Sequence, residues 1–334
     1  MKQYTPSELL WKGITTGSIY DLQSALLDGA DINEGAPAGT QYRGTPATMY
    51  KAQTLPEGIS AFEALLICHE SWGNDPASGA EFRKACGLVI RGVRKEVFSN
   101  PMSNGDTALL AYCRLPELYQ KSNIFELVLR RTPKNLLDAQ DERGYTSLMH
   151  LMQRYRMESF NVLLKAGADP DIRNEEGRNC ALIAGKMYSS SHKSHSKPIQ
   201  FLERAAENGA RIDLPDSLGN TLPFLMYNYP LAPFIAAGGD INATNQEGMT
   251  LAQKTLKDWN YSRFNEMINA PEVDWRKQIP NPAEFLRDLN KDVAHYDGSI
   301  KDIARRLSVY LEAMALEDST PGINVQEKRS SLRL

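Results

Sequence analysis

Apolar residues in this chain recur at helical spacing. Phe160, Leu163 and Leu164 fall at i, i+3 and i+4, which places them on one buried stripe of a helix. After Pro282 the register changes. Phe285, Leu286, Leu289 and Val293 form one stripe, and Ile300, Ile303, Leu307, Leu311 and Met314 form another, with Gly298 between them. Each stripe covers one face of a short helix, so none makes a core alone and each needs a neighbour to pack on.

The pattern repeats. One unit opens with Asp141-Glu142-Arg143-Gly144-Tyr145-Thr146-Ser147-Leu148 and closes with Val162-Leu163-Leu164-Lys165-Ala166-Gly167-Ala168-Asp169-Pro170-Asp171. The next opens with Asn174-Glu175-Glu176-Gly177-Arg178-Asn179, so Gly144 and Gly177 are 33 residues apart. Each position has a physical reason. Thr146 can accept an unpaired N–H of the first helix turn. Leu148 starts the apolar face, and Gly167 supplies the left-handed residue that ends the second helix.

These segments resemble the ankyrin repeat, with its glycine turn, T-P-L-H-x-A start and L-L-x-x-G-A-D-x-N close, and 33 residues is its period. Leu26-Leu27-Asp28-Gly29-Ala30-Asp31-Ile32-Asn33 closes a first copy, and a second starts near Gly58. Further copies open at Gly105, Gly219 and Gly248, and others close at Gly209 and Gly239. The motif proline is replaced by Ala108, Ser147 and Leu222, the motif histidine by Met149, and the glycine spacing drifts to 39, 42 and 29 residues. Degenerate, insertion-bearing repeats of this kind are also similar to those of bacterial ankyrin-repeat proteins. The resemblance implies an all-α ankyrin-repeat solenoid, helix-turn-helix repeats with β-hairpin turns, closed by C-terminal capping helices. Such repeats are stable only when stacked.

The expected organisation is an array of about seven irregular repeats over residues 1–275, a helical cap over 276–318 and a disordered tail over 319–334. Insertions at 34–57 and 185–198 project from it as loops. The first carries Tyr42, Arg43, Met49 and Tyr50 and is a candidate recognition loop. The second holds His192 and His195 in a serine-rich run and reads as a connector.

Composition narrows the function. A net charge of −3 argues against non-specific nucleic-acid binding, and no apolar run approaches the ~18 residues of a membrane span. The first eleven residues lack the apolar region of a cleavable signal, so a cytoplasmic chain is expected. Cys68, Cys86, Cys113 and Cys180 are too scattered for a disulfide framework and read as buried thiols. Hydrolase, zinc-protease, P-loop and dinucleotide motifs are missing, as His69-Glu70 lacks a second histidine. Cys68 and His69 are adjacent, about 100° apart on a helix, and read as helix surface. No enzyme, cofactor, metal or small-molecule substrate is therefore expected. An enzyme with a site in the C-terminal helices or the first insertion, and a structural spacer, remain as alternatives.

A monomeric protein that binds another protein fits better. The resemblance implies that partners lie against the hairpin tips and first helices, the concave side. The tip residues are Asn104 and Asp106; Glu142, Arg143 and Tyr145; Glu175, Glu176 and Arg178; Leu218 and Asn220; and Glu247 and Met249. Tyr145, Leu218 and Met249 are unusual at exposed tips, and aromatic, Met and Arg side chains are enriched in interfaces. On the second helices, Arg91, Arg130 and Lys165 hold one repeat position, flanked by Arg94, Lys95 and Arg131. That row reads either as a surface for an acidic partner or as a solvated face.

Overall fold

The structure is a computed structural model that describes residues 4–43, 52–73, 75–116, 122–190, 196–226, 230–258, 261–282, 284–285, 287, 301–302, 305–309 and 311. It falls into two compact units, residues 1–175 and 176–334. Among the described residues both are α-helical, apart from one short hairpin in the first.

The first unit contains four helix pairs: α1 (Pro6–Thr16) with α2 (Ile19–Leu27), α3 (Ala61–Ile67) with α4 (Pro76–Gly92), α5 (Ala108–Cys113) with α6 (Ser122–Arg131), and α7 (Ser147–Gln153) with α8 (Met157–Lys165). First helices pack on first helices and second on second, α3 on α5 and α5 on α7, α4 on α6 and α6 on α8. Among its described residues the second unit shows three pairs: α9 (Cys180–Ser190) with α10 (Ser196–Glu207), α11 (Leu222–Leu225) with α12 (Leu231–Ala236), and α13 (Leu251–Lys257) with α14 (Tyr261–Asn269). One turn, α15 (Trp275–Gln278), follows them and packs on α13.

Local chemistry sets where each helix begins and ends. Thr107, Thr146 and Thr250 cap α5, α7 and α13, accepting the N–H of Leu110 (3.2 Å), Met149 (3.4 Å) and Gln253 (3.2 Å). Asn179 replaces threonine before α9: its Oδ1 accepts the Leu182 N–H at 3.0 Å while its amide donates to the Arg211 carbonyl at 2.7 Å. At the other end, α2, α8, α10 and α12 close alike. Gly29, Gly167, Gly209 and Gly238 all have φ between 88° and 101°, and the following N–H reaches back five residues, as from Ala168 to Leu163 (3.3 Å). That is a Schellman close, which satisfies carbonyls the helix leaves open.

The core follows the stripes. Phe160, Leu163 and Leu164 are buried, as are Phe125 and Val128 on α6 and Phe82, Cys86, Val89 and Ile90 on α4. All four cysteines are buried, and none forms a disulfide. Burial pushes the Cys68 and Cys113 thiols up to about 12. Cys68 is therefore the buried thiol that the scattered cysteines implied and not helix surface, because the turn after α3 points its side chain inward.

The irregular spacing has structural causes. The 39 residues from Gly105 to Gly144 include an extra 3-10 turn at Lys134–Leu136. The 42 from Gly177 to Gly219 contain the long helices α9 and α10. The 29 from Gly219 to Gly248 hold the short α11 and α12, whose first turns carry Pro223 and Pro233.

The insertion after α2 folds at its base. β1 (Gln41–Arg43) pairs antiparallel with β2 (Ala52–Thr54), with Tyr42 opposite Gln53, and Ala36 and Gly58 close the stem below through backbone bonds. Met49 and Tyr50 lie outside the described residues, as do His192, His195 and residues 312–334. Of the two C-terminal stripes, Phe285, Leu307 and Leu311 are buried, Phe285 edge-on to Phe264 at 5.9 Å. Leu286, Leu289, Val293, Gly298, Ile300, Ile303 and Met314 lie outside the described residues.

Gly144 and Gly105 make a test of what holds neighbouring turns together. Both are left-handed, at φ 75° and 85°. A Cβ on Gly144 would lie 2.8 Å from Asn174 Cα, whereas one on Gly105 would meet nothing within 4 Å. Gly105→Ala is expected to cost about 1–2 kcal/mol, the left-handed penalty alone. Gly144→Ala should cost a further ~1–3 kcal/mol of overpacking, as a lower urea midpoint at unchanged m-value. Equal losses would contradict this account of the turns.

Candidate partner-binding surface

Four turns share one backbone design. The first residue donates its N–H to the carbonyl four residues on, and the glycine donates back to the first residue's carbonyl. These bonds are 2.8 and 2.9 Å at Met102–Asp106, 3.0 and 2.9 Å at Asp141–Tyr145, 2.9 and 2.9 Å at Asp216–Asn220, and 3.1 and 2.9 Å at Asn245–Met249. In the last three, one side-chain oxygen clamps the turn from within. Asp141 Oδ1 accepts the N–H of Arg143 and Tyr145, both at 2.9 Å. Asp216 Oδ1 does the same for Leu218 and Asn220 (3.0 and 2.9 Å), and Asn245 Oδ1 for Glu247 and Met249 (3.1 and 3.0 Å). This is an Asx turn doubled onto a β-turn. Met102 cannot accept such bonds, so in the first turn Asn104 Oδ1 takes the Asp106 N–H at 3.1 Å instead.

Neighbouring tips are stitched together. Within the first unit the Glu175 N–H meets the Arg143 carbonyl at 3.2 Å, and the Gln140 amide bridges the Gly144 and Arg173 carbonyls. Within the second, Ser217 donates to the Glu176 carbonyl and Gln246 to the Leu218 carbonyl, both at 2.9 Å.

One tip also carries a charged pair. Asp141 Oδ2 lies 2.9 Å from His150 Nε2, with both side chains nearly buried. The His150 ring stacks at a tilt on Tyr145 (5.6 Å), and the Arg143 guanidinium lies over the other aromatic ring of the pair, Tyr145, at 5.7 Å. Burial would raise the Asp141 carboxyl, but the Tyr145 N–H, His150 and the Arg143 N–H hold it below its ordinary 3.8. Burial, the largest influence on His150, lowers that ring below 6.5 against the pull of Asp141.

Beside the Asn104 tip lies a groove of about 330 Å³, with Leu66, Met102 and Leu115 below and His69, Arg114 and Arg154 around it. Its acids face inward: Glu63 Oε1 accepts the Ser103 N–H at 2.6 Å, and Asp106 pairs with Arg114 at 2.7 Å. Burial, then the neighbouring Arg114 and Arg156, lower the Arg154 pKa. A larger groove of about 610 Å³ in the second unit lies between α12 and α14, away from the tips, lined by Leu231, Ile235 and Ala270 among others. Among the described residues, no three His, Cys, Asp or Glu side chains gather as a metal ion would require, and no helix is long and apolar enough to cross a membrane.

No protein-family profile matches the chain. A curated relative, an ankyrin repeat protein of Acanthamoeba polyphaga mimivirus, is 30% identical over 91 residues, which is 27% of this chain and 19% of that protein. The match thus spans about a fifth of the relative's length. Among solved structures, the chain is similar to an ankyrin repeat domain from Acinetobacter baumannii AYE, at 16% identity over 69% of this chain and 97% of that one, with TM-score 0.47. It is also similar to the ankyrin repeat domain of Bcl-3, a member of the IkappaB protein family, at 15% identity over 76% and 95%, with TM-score 0.46. The sequence repeat, the paired helices and the mimivirus relative agree. The chain has an ankyrin-repeat fold.

On these ankyrin tips, Asn104, Glu142, Arg143, Glu175, Glu176, Leu218 and Glu247 are exposed, Leu218 by 53%. Tyr145, Asn220 and Met249 are half-buried, with Asn220 Oδ1 receiving the Asn245 amide at 3.3 Å. Two of the expected surface residues are corrected. Asp106 is only 5% exposed, held by Asn104 and Arg114. Arg178 is only 8% exposed, its Nε on the fully buried Asp216 carboxylate (3.1 Å) and its Nη1 on Glu176 (2.6 Å). Arg178 neutralises the buried Asp216, and Arg114 neutralises the buried Asp106, charges the tips would otherwise hold unpaired. Arg114 and Arg154 were not expected at this surface. The signal for them is positional, since each directly follows the first helix of its repeat.

The clamp predicts a pH effect of definite sign. Asn245 shows that an amide oxygen can hold the same two N–H groups, so Asp141→Asn should keep the turn and lose only the charge. A carboxyl held below its unfolded pKa contributes stability fully above about 3.8, and that contribution is lost as pH falls through the lower folded value. Wild type should therefore be the more stable protein at about pH 5, by urea midpoint, with the difference shrinking as pH falls below 3.8. A difference independent of pH would contradict the assignment.

Proposed function

We propose that this ankyrin-repeat protein is a stoichiometric protein-binding module, a scaffold or an occluding inhibitor, whose partner lies against the hairpin tips and first helices of each unit. One observation carries the reading. Each tip satisfies its backbone from within, yet turns Glu142, Arg143, Leu218 and Glu247 out to solvent. Side chains held on a pre-ordered turn lose little entropy on binding. Arg143 over Tyr145 presents a flat cationic and aromatic pair, the residue types that dominate interface energetics. Leu218 adds an exposed apolar contact with no packing role of its own in the turn. The Asn104 groove then offers a concavity for one partner side chain, with an apolar floor and an arginine rim.

Capture from the native lysate with two variants tests this. One carries Glu142→Ala, Arg143→Glu, Tyr145→Ala and Leu218→Ala. The other carries Tyr20→Ser and Leu27→Ser, at exposed apolar residues of α2. Arg178 stays unchanged, because its removal would strand the buried Asp216. A partner held by wild type and by the α2 variant is expected to bind the tip variant about tenfold more weakly or worse, at unchanged circular dichroism and melting. Full retention by the tip variant would contradict the reading.

A further inference from the structure

The second helices of the first unit carry another surface. Arg91, Arg130 and Lys165 each directly follow an equivalent apolar pair, Val89-Ile90, Val128-Leu129 and Leu163-Leu164, at the C-terminal ends of α4, α6 and α8. Because α4 packs on α6 and α6 on α8, the three exposed cations fall in sequence across neighbouring helices. Arg94, Lys95 and Lys134, in the segments that leave α4 and α6, are exposed beside them. Arg131 does not belong to this set. It donates to the Val93 and Arg91 carbonyls at 2.7 and 3.2 Å and lies over Phe98, tying the end of α6 to the end of α4.

The charges are poorly neutralised. Among the described residues, only Arg130 of these six cations has an ion pair, with the exposed Glu126 at 3.4 Å, a contact of little energetic weight. A helix C-terminus favours a cation in its last turn, which accounts for Arg91, Arg130 and Lys165 singly. It does not account for Arg94, Lys95 and Lys134, which lie beyond those turns. In a chain of net charge −3, six exposed cations lie together along these helix ends, with Glu96 and Glu126 the acids beside them.

We propose that this row docks an acidic, extended segment of a partner protein, at a surface separate from the hairpin tips. The dimensions select the ligand. Packed helices lie ~8–10 Å apart, and a chain extended as polyproline II rises ~3.1 Å per residue with every third side chain on one face. Carboxylates at every third residue therefore meet Arg91, Arg130 and Lys165 in turn. Single-stranded nucleic acid is the other extended polyanion, and it binds through aromatic platforms. The exposed large aromatics among the described residues are Tyr4, Tyr20 and Tyr155, none of them on α4, α6 or α8.

The test uses fluorescence anisotropy of the full-length protein at low salt with three probes. Two are acidic peptides of identical composition, one with glutamate at every third position and one with its glutamates consecutive. The third is a single-stranded DNA of equal charge. The spaced peptide is expected to bind about tenfold more tightly than the block peptide. Arg91→Glu, Arg130→Glu and Lys165→Glu together should abolish that preference. The matching Ala substitutions should weaken it without reversing charge. Lys186→Glu, Lys197→Glu and Arg204→Glu, an equal charge change in the second unit, should leave it intact. Equal affinity for the two peptides, equal loss in both Glu variants, or row-dependent binding of the DNA in preference to the peptide would each overturn the proposal.

Discussion

One side-chain oxygen holding two backbone N–H groups is the constraint on which this architecture rests. Asp141, Asp216 and Asn245 each fold five residues onto a single acceptor. The glycine at the fourth position makes the left-handed step that a side chain would resist. Once the turn is closed, the next residue but one is fixed as well, and in Thr146 and Thr250 it caps the following first helix. The clamp therefore sets both where the helix starts and which side chains face out. Removing the acceptor would hand two turn donors to water, at a loss of about 0.5–1.5 kcal/mol for each bond.

Stacking adds a second layer of the same chemistry. Asn33 and Asn242 occupy the end of the repeat motif in different units and perform one task. Asn33 accepts the Arg94 N–H (2.7 Å) and donates to the Gly92 carbonyl (3.3 Å). Asn242 accepts the Asp274 N–H (2.7 Å) and donates to the Glu272 carbonyl (2.8 Å). Each binds one repeat to the next through backbone groups, so it works whatever side chains the neighbour carries. That independence explains how the repeats diverge in length without losing their turns. The drift is taken up in the helices, as in the short α11 and α12, or in the added turn at Lys134–Leu136.

Much of this was legible in the sequence, for a physical reason. A left-handed glycine, a capping threonine and an apolar stripe are local requirements, and Gly144, Thr146 and Leu163 announce them within a few residues. The helix pairs follow from these. What was not legible depends on residues distant in the chain. Arg178 reads as a tip residue by its offset from Gly177, and only Asp216, 38 residues on, draws it inside. Glu63 was not singled out at all, because its bond to Ser103 spans 40 residues. The hairpin in the first insertion was missed because strands of three residues are too short to show a period. The helix-surface reading of Cys68 failed because its turn leaves helical geometry, which the 100° rule assumed.

The most direct measurement of the central claim is native-state hydrogen exchange resolved to single amides. The clamped amides are those of Arg143, Tyr145, Leu218, Asn220, Glu247 and Met249. If the tips are pre-ordered by their own acceptors, these six exchange with protection comparable to amides in the adjacent first helices. Replacing Asp141 by Ala then exposes the Arg143 and Tyr145 amides and leaves the clamped amides of the second unit protected. Exchange of all six at the rate of an unfolded chain, while the helices stay protected, would contradict the account.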